Sequence, residues 1–261
     1  MHYIKRKKSI VILVLLELLM TCCASKKDIL YLQDIESQDL NEGEVQNIIT
    51  IKPNDQLSIV VSSIDRKSAV PFNLPALAEA NSDITLVNAQ QRLQTYLVDQ
   101  NGNIEFPILG TLNLGGKTTQ ESVSFLVVEL KKYLKDPIVN LLISNFKISV
   151  LGEVARPGIV NVRDQRITIL EALSNAGDMT VFGKRKDVLV IREQNNKKVY
   201  QKIDFTSSEF IKSPYYYLQQ NDVVLVSPNK TQVQSSAFGR NTSALVSIAG
   251  VLISVITLLT R

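Results

Sequence analysis

Tryptophan is absent from the 261 residues, histidine occurs once, at His2, and the two cysteines, Cys22 and Cys23, are neighbours. Each shortage closes off a class of function. Adjacent cysteines cannot staple a fold, because a disulfide stabilises by closing a longer loop. His2 falls within a basic leader (residues 1–22), so the chain beyond it lacks the commonest general base and metal ligand. Catalysis would rest on carboxylates alone, and the sequence offers no catalytic constellation, no metal site and no cofactor motif. Charge of one sign is scarce too. The formal net charge is +4, but Lys5, Arg6, Lys7, Lys8 and Glu17 all precede Cys22; with four cations and one acid removed, the remainder carries +1. Without a basic stripe there is no footprint for neutralising phosphates, which argues against nucleic acid as a partner.

Both ends are apolar. After the basic residues comes an uncharged run broken only by Glu17, then Thr21-Cys22-Cys23-Ala24-Ser25. This is the layout of an export signal, and its apolar run, about eleven residues, is too short to span a bilayer. A signal that ends at cysteine among small residues resembles that of a bacterial lipoprotein. Cys23 is the expected lipidation site, with Cys22, three residues after Leu19, as the alternative; an ordinary signal peptide or an uncleaved anchor is the competing reading. At the other end, residues 242–260 carry no charge between Arg240 and Arg261. As a helix they would extend roughly 28 Å at about 1.5 Å per residue, enough for one crossing. Ser243, Ser247, Gly250, Ser254 and Thr257 recur at alternating spacings of four and three, which aligns them on one face. Such a stripe suits close helix packing, or a wet face in a ring of helices, better than a plain anchor.

Between the ends the pattern predicts an α+β body in two parts: residues 46–145 and 146–228, preceded by a tether (23–45) and followed by a polar linker (229–241). Apolar alternation on both sides of Pro53-Asn54-Asp55 predicts strand, tight turn, strand. Residues 65–94, with Pro71 and Pro75, read as an irregular insertion. Residues 96–114 predict a strand, an Asn101-Gly102 hairpin turn, a second strand through Pro107, and a turn at Gly110. A helix follows, capped at Thr119 with Glu121 in its first turn and stopped before Asp136-Pro137. In the second part, two strands are joined between Gly152 and Pro157-Gly158, where a type II turn with Gly158 at positive φ is expected. Then come a short helix ending at Gly177 and strands over 187–192, 198–203 and 223–227.

Taken in order, these motifs resemble the bacterial polysaccharide export lipoproteins of the outer membrane. Ile51 to Leu57 and Tyr96 to Gly110, with Asp99, Gly102, Pro107 and Gly110, are similar to the family's polysaccharide-export domain. Val150-Leu151-Gly152-Glu153-Val154 with Pro157-Gly158 is similar to its β-grasp-like (SLBB-type) domain. Two positions depart from the family: Asn54 stands where glycine is common, and Asp178 replaces a frequent second glycine. The resemblance implies a homo-oligomeric ring of lipidated copies whose C-terminal transmembrane helices cross the outer membrane, with the body in the periplasm. It also implies passage of a capsular polysaccharide or exopolysaccharide chain and an inner-membrane co-polymerase or tyrosine kinase as partner. Asp55, Asp99, Asp178 and Asp222 each adjoin a turn and are read as structural. Tyr215 to Tyr217 read either as packing or as a platform for sugar rings. The alternative function is a periplasmic glycan-binding or adaptor lipoprotein with a simple C-terminal anchor.

Overall fold

The computed structural model describes residues 28–37, 49–75, 77–78, 91–92, 94–194 and 197–237, together with 247, 250, 251, 254 and 255. Cys22, Cys23, Ser243 and Thr257 lie outside the described residues. No helix among the described residues is long and apolar enough to cross a membrane.

The fold is α+β. Its first part is organised by β1 (Gln56–Ser62), whose alternate residues Leu57, Ile59 and Val61 are buried. β1 pairs antiparallel with β2 (Tyr96–Leu97) on one side and β5 (Ile138–Ile143) on the other, in the order β2-β1-β5. Between them in sequence lie β3 (Asn103–Phe106), its hairpin partner β4 (Gly110–Asn113), and helix α1 (Thr119–Leu130). α1 packs against β5. It buries Leu126 and Leu130 completely, a gain of about 1.5–3 kcal/mol for each side chain. The second part is a mixed sheet in the order β9-β8-β10-β6-β7. Here β6 is Lys147–Gly152, β7 Gly158–Asn161, β8 Val188–Gln194, β9 Lys197–Ile203 and β10 Val223–Val226. β10 and β6 run parallel and the other neighbours antiparallel. Helix α2 (Ile169–Asn175) lies against this sheet through Ile169, Ala172 and Leu173. One apolar core runs through both parts, from Ile51 to Val226.

Several local expectations are corrected. The described residues 49–52 form no paired strand: Thr50 makes only an isolated bridge to Thr118, because β1 spends its two edges on β2 and β5. For the same reason Asn101-Gly102 does not close a hairpin; β2 pairs with β1, and the hairpin turn is at Pro107 to Leu109 between β3 and β4. The cap of α1 is Thr118, not Thr119. Thr118 Oγ1 accepts from Glu121 N at 3.1 Å and Glu121 Oε2 accepts from Thr118 N at 2.8 Å, a reciprocal capping box repeated by Thr168 and Glu171 on α2. Within the expected insertion, Arg66–Ala69 forms a helical turn fastened by Asn73, which bonds both the N–H and the C=O of Val61. Residues 28–37 of the expected tether are docked on the second part. Leu32 N and Gln33 N donate to the carbonyls of Phe205 and Thr206, and Asp34 accepts from Ser207 Oγ and Ser208 N. The expected linker is helical over α3 (Lys230–Ala237), with Asn229 Oδ1 accepting from Gln232 N at 2.9 Å.

Candidate functional site

The two sheets are joined at Asn145, between β5 and β6. Its Oδ1 accepts from Gln56 N at 3.0 Å, its Nδ2 donates to Asn54 O at 3.0 Å, and its carbonyl accepts from Gln220 Nε2 at 2.8 Å. Gln220 Oε1 in turn accepts from Lys147 N at 2.7 Å, and Lys52 Nζ reaches Gln219 Oε1 at 3.1 Å. Asn145 thus ties the turn before β1 through its side chain to the turn before β10 through its carbonyl. Beside this joint lies an open cleft of about 780 Å³. Gln56 and Ser58 line it from β1, Gln94 and Thr95 from the segment before β2, and Asn161 and Arg163 from the end of β7 and just beyond, together with Leu142 and Phe146. Amides, hydroxyls and one guanidinium beside apolar side chains can exchange hydrogen bonds with hydroxyl-rich ligands without any group suited to covalent chemistry. The described residues contain no cluster of His, Cys, Asp or Glu that could hold a metal ion. Sequence reasoning missed this cleft; its polar residues come from three segments, around 56–58, 94–95 and 161–163, which only the tertiary fold brings together.

None of the described residues singled out in the sequence lines that cleft. Pro53 and Asn54 form the middle of the turn before β1, with Asn54 at φ 69°. Asp55 is buried; its Oδ2 accepts from Lys52 N at 2.8 Å, and burial pushes its carboxyl above the usual range against the pull of Lys52. Asp99 Oδ1 closes a local turn by accepting from Asn101 N and Asn103 N, both at 2.8 Å, and these bonds hold its carboxyl below the usual range. Gly102, at φ 82°, backs so closely on Gly115 that a Cβ there would stand 2.7 Å from Gly115 Cα. Pro107 opens the β3–β4 turn, in which Ile108 is exposed at φ 66°.

Pro157-Gly158 departs from expectation. Gly158 does not take a positive φ; it begins β7, paired with Val150, and a Cβ there would meet nothing within 4 Å. The positive φ falls on Gly152, at 90°, where a Cβ would stand 2.0 Å from Val226 O. The cause is the parallel β6–β10 pair, whose last rung, Val226 to Gly152, brings the β10 backbone directly onto this residue. Asp178 has φ 70°, and its Oδ1 accepts from Tyr31 OH and from Met179 N, both at 2.6 Å. Burial and the bond to Asp178 push the Tyr31 hydroxyl well above its ordinary pKa.

Asp222 does more than close a turn. Its carboxylate is fully buried and receives Arg192 Nε at 3.1 Å to each oxygen and Arg192 Nη2 at 2.7 Å. Burial pushes this carboxyl up, opposed by Arg192 and by Gln219 N at 2.8 Å. Arg192 also donates to the carbonyls of Tyr217 and Pro214, and lies 4.5 Å from the Tyr215 ring centroid. Tyr216 packs on Phe210 and Tyr217. The three tyrosines are therefore packing elements around a buried ion pair. Of the C-terminal stripe, Ser247, Gly250 and Ser254 have helical backbone; Ser254 Oγ donates to Gly250 O at 2.9 Å, and a Cβ on Gly250 would meet nothing within 4 Å.

A family model described as polysaccharide biosynthesis/export protein matches residues 43–144, and one described as an SLBB domain matches residues 146–226. The chain belongs to the polysaccharide export family. Relatives include the EPS I polysaccharide export outer membrane protein EpsA of Ralstonia solanacearum, 33% identical over 89 residues, or 33% of this chain and 24% of that protein. The EpsA protein of Ralstonia nicotianae is 30% identical over 114 residues, 42% of this chain and 30% of its own length. The export family is one of transport proteins rather than enzymes. Asn54 and Asp178, the two positions expected to depart from the family pattern, both have positive φ, which asparagine and aspartate tolerate better than other non-glycine residues.

Proposed function

We propose that this chain is an outer-membrane component of polysaccharide export, acting as a passive conduit for a capsular polysaccharide or exopolysaccharide. The observation that carries this reading is the ordered match of the export and SLBB models over one continuous body, residues 43–144 then 146–226. The two relatives reported above are named as outer membrane export proteins. In the full reading, Cys23 (or Cys22) carries the lipid, residues 242–260 cross the outer membrane, and copies assemble into a ring above an inner-membrane co-polymerase or tyrosine kinase. The polar cleft beside Asn145 would meet the polymer through amide and hydroxyl contacts, each weak enough to let it move on. The stripe of Ser243, Ser247, Gly250, Ser254 and Thr257 would pack neighbouring helices.

Replacing Ser247 and Gly250 by leucine tests the ring. Within one chain a Cβ on Gly250 meets nothing within 4 Å, so a defect of Gly250→Leu alone would point to contact between copies. The expected result is loss of the oligomer in detergent together with loss of surface polysaccharide. Undiminished export with an unchanged oligomer would overturn the ring and favour the adaptor alternative.

A further inference from the structure

Arg185 is only 4% exposed, yet it takes no part in the joint between the sheets or in the Arg192 cluster. Its Nη1 donates to the carbonyls of Thr180 and Gly183 and its Nη2 to that of Met179. A buried cation given over to three carbonyls of one loop fixes that loop. Thr180 adds to the hold: its Oγ1 donates to Glu153 Oε2 at 2.9 Å, and its carbonyl accepts from Gly183 N at 3.0 Å. At the tip stand Val181, 60% exposed, and Phe182, 38% exposed. Holding two large apolar side chains outward opposes the hydrophobic effect unless something else covers them.

The surroundings say what that is. Val181 and Phe182 line a cleft of about 570 Å³ together with Ile29, and Lys184, Lys186 and Lys230 stand around it. Two carboxylates temper the charge, Asp28 pairing with Lys186 at 3.2 Å and Asp187 with Lys184 at 3.6 Å, so the rim stays net basic. Both ends of the body emerge here. Asp28, in the cleft wall, lies five residues beyond Cys23, a reach of at most about 18 Å of extended chain. On the other side Asn229 N donates to Phe182 O at 2.7 Å, and Lys230 begins α3 on the way to the apolar residues 242–260. An apolar tip in a basic surround, next to the points where both apolar chain ends depart, is complementary to a bilayer surface with anionic headgroups.

We propose that the Val181-Phe182 loop and its lysine rim form the face by which the body rests on the lipid bilayer, the apolar tip entering the headgroup region and the lysines meeting anionic headgroups. This rests on the membrane-anchored reading above.

The absence of tryptophan allows a direct test. Phe182→Trp and Val181→Trp each introduce a lone indole, and Ile64→Trp, at a 77% exposed position of the first part, is the reference. The full lipidated chain is reconstituted in vesicles of phosphatidylethanolamine and phosphatidylglycerol, with or without acyl-chain bromination. The expected result is flotation of all three variants, with blue-shifted emission and severalfold stronger bromine quenching for Phe182→Trp and Val181→Trp than for Ile64→Trp. Adding Lys230→Glu should weaken that quenching at low salt. Flotation with equal quenching at all three positions would overturn the inference while leaving the anchored reading intact. Failure to float would overturn both.

Discussion

Replacing Asp222 by alanine should be among the most damaging single changes in the body. Arg192 has a side chain only 3% exposed and would lose all its contacts with the carboxylate, at 3.1, 3.1 and 2.7 Å. Gln219 N would lose its acceptor at 2.8 Å. The carbonyls of Tyr217 and Pro214 remain, but they leave the positive charge uncompensated. Removing one partner of a buried pair costs about 3–5 kcal/mol, chiefly because the surviving charge stays out of water. Against a total stability of about 5–15 kcal/mol, that is a fifth or more. The pair itself is not a large net source of stability, since burial drives Asp222 up despite Arg192. Arg192→Met with Asp222→Leu should therefore cost clearly less than the sum of the two single changes. Urea unfolding of the full chain, followed by circular dichroism, reads both quantities. A loss of under about 1 kcal/mol for Asp222→Ala, or strict additivity in the cycle, would refute the reasoning.

Two further predictions concern backbone and charge. Gly152→Ala, with φ 90° and Val226 O at 2.0 Å from the new Cβ, should destabilise by more than the roughly 1–3 kcal/mol of backbone strain alone, whereas Gly158→Ala should be tolerated or stabilise by about 0.4–1 kcal/mol. Equal effects in thermal denaturation would contradict the assigned backbone. Asp55→Asn keeps an oxygen for Lys52 N but removes a buried charge whose folded pKa lies above its unfolded value. Wild-type stability from this group is full below the unfolded value of about 3.9 and falls as pH rises through the folded one, so the variant's advantage in Tm should be open at neutral pH and close in acid. A gap that does not change with pH would count against it.

The elements with strong local signals could be read in the sequence and the long-range pairings could not. The helices around Leu126 and Leu173 announced themselves through their period, and the turn at Asn54 through its proline and asparagine. Pro157-Gly158 misled because the dipeptide carries the composition of a type II turn, whereas the tight approach arises at Gly152 from β10, more than 70 residues away. A separation of 30 residues hid the Arg192–Asp222 pair: each residue looked ordinary in its own segment, and only the β8–β10 pairing sets them together. The docking of residues 28–37 was invisible for a related reason. Tyr31 and Asp34 are polar enough to suit a tether, and their partners, Asp178 and Ser207, lie far along the chain.

The most direct test of the export assignment is to delete the gene in the producing cell and measure where the polymer is, outside the cell or behind the outer membrane. The account predicts that surface and secreted polysaccharide fall to background, with polymer retained in the periplasm or synthesis stalled, and that the intact chain restores export. Normal amounts of surface polysaccharide in the deletion strain would contradict it.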